Sequence, residues 1–146
     1  MSGKGEGEMG RFSVDVEIVN NRDLGNAESG YIDPATVRRK TIRGIVDSGA
    51  ARLVLPGAVV KELGLPVKKT KAKVRYADGR RGLRAEVSNV GVYLQGRDGV
   101  FTAIVEPDRD TALIGAIVLE DLDLLVDCLN QRLVPRDPKY VVSEIE

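Results

Sequence analysis

Residues 44–56 read GIVDSGAARLVLP, two apolar runs interrupted by an aspartate, a hydroxyl, a glycine and an alanine. Each run has the length and branched-chain content of a buried strand. A carboxylate beside a core is unfavourable unless something pairs with it. Asp47 is therefore either a turn residue at a strand end or a group that the fold places there for chemistry.

The rest of the chain shows what such a strand can pair with. In RFSVDVEIVN, Phe12, Val14, Val16 and Ile18 alternate with polar residues, the period-2 mark of a strand with one buried face. NNRDLGNAESGYIDP is rich in turn formers and is predicted to be a loop, with a strand following from Thr36 to Asp47. LVLP reads as a short strand, and AVVKEL as a helix of two turns closed by Gly64 and Pro66. From residue 67 to 95 a long hairpin is predicted, its tip at Asp78 and Gly79; a second turns at GRDG, residues 96–99, into the strand VFTAIVE. ALIG is a short strand, AIVLEDL a short helix, and LLVD with RLVP a final pair around Asn130-Gln131. Many short strands with two brief helices point to a mainly β domain closed on itself. Twice an apolar strand meets a glycine-containing turn and leads to a helix, IVDSGA to AVVKEL and ALIGA to AIVLEDL, which suggests a pseudo-symmetric pair of lobes within one domain. Residues 1–10, with four glycines, read as a disordered tail; 11–135 form the domain; 136–146 are a tail with a candidate pairing strand in YVV.

Composition narrows the chemistry. The chain has no histidine, which removes Ser-His-Asp and Cys-His catalysis and every histidine-bound metal site. Its single cysteine, Cys128, allows no internal disulfide and is expected to be a plain buried or half-buried thiol. Catalysis without a cofactor then falls to carboxylates, hydroxyls, lysines or tyrosines. The 22 basic and 22 acidic side chains cancel, so no overall field recruits nucleic acid or an anionic membrane. No apolar stretch approaches the ~20 residues needed to cross a bilayer. The first ten residues carry no apolar secretion signal, so a soluble, cytoplasmic protein is expected.

Asp47-Ser48-Gly49-Ala50, preceded by Ile45 and Val46, resembles the D-[ST]-G-A signature of retroviral-like (retropepsin-like) aspartic proteases. Leu113-Ile114-Gly115 before a short helix resembles the apolar-apolar-glycine element of the same family, and VRYADGRRG lies where the family carries its flap. The resemblance spans about residues 11–135 and implies the retropepsin-like acid protease fold, no cofactor and no metal. Asp47 would be the catalytic carboxylate of an aspartic endopeptidase. Ser48 would cross-link two active-site loops, Gly49 would allow close backbone approach, and Ala50 would keep the floor small. Tyr76, Ala77, Asp78 and Gly79 would form the flap over an extended peptide or protein substrate. Leu113, Ile114 and Gly115 would line the pocket floor. Like charges about 3 Å apart share one proton, so two carboxylates can supply base and acid together. One chain carries one such motif, and the resemblance therefore implies a homodimer with Asp47 of each subunit at the axis. Ala51 and Arg52 follow the motif where viral members often place acidic residues, so Arg52 is expected to face a different partner.

Two other readings compete. The same fold can serve as a non-catalytic dimeric module that binds extended peptides. The basic stretch KKTKAKVR with RRGLR can be a nucleic-acid surface, but Lys69, Lys71, Lys73 and Arg75 share one parity, the pattern of a solvated strand face, and no nucleic-acid partner is expected. The seven carboxylates from Glu106 to Asp127 read as surface, or as a complement to that basic arm across a dimer.

Overall fold

The computed structural model describes residues 11–146. The predicted tail 1–10 lies outside the described residues. Strand β1 (Arg11–Asn20) pairs antiparallel along its length with β2 (Arg39–Asp47), which places Arg11 directly opposite Asp47. Short strand β3 (Leu53–Pro56) leads into α2 (Gly57–Leu63), closed by Gly64 in the left-handed conformation (φ 60°), as the glycine there predicts. Strands β6 (Glu86–Leu94), β7 (Arg97–Glu106) and β8 (Ala112–Ile114) complete a closed barrel in the order β1-β2-β8-β3-β7-β6. Inside it pack Val16, Ile18, Val46, Leu55, Val92 and Ile114, all essentially inaccessible to water. The mainly β expectation holds.

Outside the barrel, β4 (Ala72–Arg75) and β5 (Arg81–Arg84) form a two-stranded arm, and β9 (Leu124–Asp127) and β10 (Arg132–Pro135) a second ribbon after α3 (Ala116–Asp121). The tip of the first arm is at Asp78-Gly79 as expected, with Gly79 at φ 89° and its N–H donating to Tyr76 O at 2.9 Å. The arm ends sooner than predicted. An isolated bridge joins Val67 to Val87, and β4 and β5 pair near the tip. From Glu86 onward the returning strand pairs with β7, with an irregularity between Val87 and Val90, and from Val90 with β1 as well.

Several expectations are corrected. The predicted loop after Asn20 holds helix α1 (Asn21–Glu28) and a 3-10 turn (Pro34–Thr36). Asn20 Oδ1 accepts from the Asp23 N–H at 3.0 Å, capping the helix, while its Nδ2 donates to Leu63 O at 2.8 Å and fixes it to α2. Tertiary hydrogen bonds thus stabilise a segment whose composition favours turns. The second hairpin turns at Gln95-Gly96, not at 96–99: both have positive φ (55° and 76°), which satisfies a two-residue turn and leaves Arg97 to Gly99 in β7. Cys128 is exposed, not buried. The chain leaves β9 one residue earlier than the parity of Leu124 and Val126 implies, because Asp127 accepts from the N–H and Nδ2 of Asn130 and closes the turn there. The two strand-glycine-helix units lie within one barrel, where β2 and β8 run side by side, parallel. YVV adds no strand: Asp123 Oδ2 accepts from the Val142 N–H at 3.0 Å, and Arg97 reaches Tyr140 O, so the tail is tied by side chains. Among the described residues no helix is long and apolar enough to cross a membrane.

Candidate active site

Strand alternation decides where Asp47 goes. Val46 points into the barrel and is fully buried, so Ile45 and Asp47 lie on the opposite face. Because Arg11 is its cross-strand neighbour, the Arg11 guanidinium comes within 3.4 Å of Asp47 Oδ2, and the aspartate side chain stays 26% exposed. The Gly49 N–H donates to Asp47 Oδ1 at 3.0 Å and the Ala50 N–H to Asp47 O at 3.1 Å, closing a tight turn. Among the described residues no second carboxylate is hydrogen-bonded to this one.

The turn rests on the second glycine unit. Ile45 pairs with Leu113 and Leu113 with Val54, so these three half-buried side chains share the outer face. The N–H groups of Ala116 and Ile117, the first of α3, donate to Ala50 O and Ala51 O at 2.8 and 3.0 Å. This satisfies two helix-end donors that would otherwise lack partners. Gly115 makes the approach feasible, since a Cβ there would fall 2.7 Å from Arg52 O and 2.8 Å from Ala50 O. Gly49 is less constrained than expected: it has no positive φ, and a Cβ would meet only the Asp47 carboxylate, at 3.3 Å.

A cleft of about 600 Å³ runs from this turn to the two-stranded arm. Gly49, Ala50 and Leu113 contribute to it, as does Tyr76 from the arm. The other expected residues are placed elsewhere. Ile114 is fully buried in the barrel, one parity step from Leu113, and Gly115 is buried under the turn. Neither lines the floor. Ser48 is exposed beside the cleft, and Ala77, Asp78 and Gly79 stand exposed at the arm's tip, where Asp78 accepts from the Arg80 N–H and Nε.

Two carboxylates that the motifs did not single out organise the cleft. The Tyr76 hydroxyl donates to Glu106 Oε2 at 2.5 Å and Arg84 Nε to Oε1 at 2.8 Å, tying both strands of the arm to the end of β7. Burial pushes the Glu106 carboxyl up, but the Tyr76 hydroxyl and Arg84, with the charge of Arg109, outweigh it and hold it below its usual value. The same bond raises the Tyr76 hydroxyl, and Arg80 lies 4.7 Å over the Tyr76 ring. Arg52 has its own partner: it binds Glu86 at 2.5 Å, and this bond leads in lowering that carboxyl. A tyrosine on an arm and a glutamate 30 residues away carry no sequence signal of contact. The apolar wall of Val54, Val74 and Ile104 was accessible in principle through strand parity.

The model of the gag-polyprotein putative aspartyl protease family matches residues 34–121, more than half of the chain. The chain belongs to this family. The matched span includes the Asp47 turn, the arm and the Leu113-Ile114-Gly115 element of this aspartyl protease relative. A solved structure of EIAV protease complexed with the inhibitor HBY-793 superposes with a TM-score of 0.53, covering 85% of this chain and 92% of that one at 19% identity. The fold is accordingly the retropepsin fold. No curated protein matches the sequence significantly.

Proposed function

We propose that the protein is an aspartic endopeptidase that works as a homodimer, with one Asp47 from each subunit. The observation that carries this reading is a solvent-accessible Asp47 in the turn whose Gly49 and Ala50 line a cleft reaching the hairpin arm, with no second carboxylate hydrogen-bonded to it among the described residues. The family supports hydrolytic chemistry. A two-fold axis through the turn brings the same loop of both subunits together. The paired carboxylates, held close together, then share one proton between them. The ionised one takes a proton from water as its oxygen attacks the peptide carbonyl carbon. The protonated one gives its proton to the carbonyl oxygen. The tetrahedral intermediate then collapses as the first carboxyl passes the proton it took from water to the leaving amine, and a hydroxyl of the intermediate returns its proton to the second carboxylate. In this reading Ser48, exposed beside the turn, meets its counterpart across the axis. The tip residues Ala77, Asp78 and Gly79 close over an extended peptide.

The test uses purified protein and an extended peptide mixture at mildly acidic pH. Wild type is expected to yield defined cleavage products. Asp47→Asn is expected to keep its fold and subunit association and lose essentially all cleavage, as removal of the reacting carboxylate requires. Equal product from both proteins would sink the assignment.

A further inference from the structure

We propose that the cleft selects acidic peptide segments, with Glu or Asp at alternate positions and apolar residues between them. The proposal deepens the peptidase reading and rests on it for the identity of the ligand as an extended peptide. Four cations and one carboxylate line the cleft: Arg52, Lys73, Arg75, Arg109 and Glu106. The carboxylate is already bonded by Tyr76 and Arg84, and Arg52 is bonded by Glu86. Among the described residues Lys73, Arg75 and Arg109 have no carboxylate ion pair. Arg109 is nonetheless held in place, its Nε donating to the neutral Thr111 O at 2.7 Å, and its charge acts on Glu106 only from outside ion-pair distance. The imbalance is local, because the whole chain carries formal net charge zero.

Geometry gives the spacing. Strand β4 pairs only with β5, and four consecutive residues, Lys73 to Tyr76, line the cleft. A strand that offers both parities to a cleft meets it edge-on, with an unpaired row of backbone N–H and C=O groups. A peptide added to that edge places alternate side chains on alternate faces. Tyr76 reaches Glu106 on the barrel, so its parity, shared with half-buried Val74, faces the barrel and its apolar wall. Lys73 and Arg75 are exposed on the other face. Acidic side chains two residues apart complement that face, and apolar ones between them meet Val74, Val54 and Leu113.

Binding of fluorescent peptides to full-length Asp47→Asn tests this without consuming substrate. Three extended peptides share one apolar framework and carry Glu, Gln or Lys at alternating positions. The Glu peptide is expected to bind about tenfold tighter than the Gln peptide at low salt, since exposed pairs each contribute a few-fold. The advantage should shrink as salt screens the charges. In the Lys73→Glu/Arg75→Glu background the order is expected to invert in favour of the Lys peptide, which a merely misfolded variant would not do. Equal or undetectable binding of all three peptides overturns the proposal. So does an oligonucleotide of equal charge that displaces the Glu peptide at lower concentration than unlabelled Glu peptide. Cleavage by wild type is read separately: selective acidic binding with no cleavage contradicts the peptidase reading and leaves this ligand class standing.

Discussion

Gly115 carries a heavier steric demand than the glycine inside the Asp47 motif. A Cβ at Gly115 meets backbone atoms of Ala50, Ala51 and Arg52 at 2.7–2.8 Å, and backbone cannot rotate away as a side chain can. Gly115→Ala is expected to cost about 1–3 kcal/mol, the range for forcing a methyl into a packed interior. Gly49→Ala should stay within about 0.5 kcal/mol in the isolated subunit. Urea denaturation of both variants checks the order, and a Gly49→Ala loss as large as that of Gly115→Ala would contradict it. The motif letters alone rank these glycines the other way, because a motif records which residues recur and not which atoms they touch. Leu113 and Ile114 teach the same point. Both were expected on the pocket floor, yet strand alternation sends Leu113 to the cleft and Ile114 to the core.

Two elements behave in ways that only long-range contacts explain. Helix α1 is held through Asn20 and through Asp23, which is 9% exposed and accepts from Arg38 Nε at 2.8 Å and Nη2 at 3.0 Å. The Arg38 bond holds the Asp23 carboxyl below its usual value. A carboxyl lowered in the folded state contributes stability above its unfolded value, near pH 4, and loses it as pH falls through the folded value. Asp23→Asn should therefore lower the urea midpoint at pH 7, and the gap to wild type should narrow below about pH 4; a pH-independent gap would contradict the account. The hairpin arm depends on Glu106 in the same way. Glu106→Gln keeps the shape but weakens both bonds, and hydrogen exchange of amides 72–84 is expected to speed up severalfold while barrel amides hold. The strands themselves were legible because alternation and turn residues are local signals. The helix, the Glu106 tie and the exposed Cys128 were not, since each is set by a partner or turn bond that local pattern does not encode.

At the scale of the whole molecule, the barrel order β1-β2-β8-β3-β7-β6 puts the Asp47 turn and the Gly115 turn side by side, with the arm reaching over the same end. That convergence joins three stretches far apart in sequence into one site, and their order along the chain was readable because each carries its own motif. In the proposed peptidase the second carboxylate comes from a second copy of the chain. Mixing wild type with Asp47→Asn at fixed total protein, after subunit exchange, measures this most directly. Random pairing leaves wild-type pairs as the square of the wild-type fraction, so an equal mixture is expected to retain about one quarter of full activity. Activity that falls in direct proportion to wild type, about one half in the equal mixture, would contradict a shared Asp47 pair.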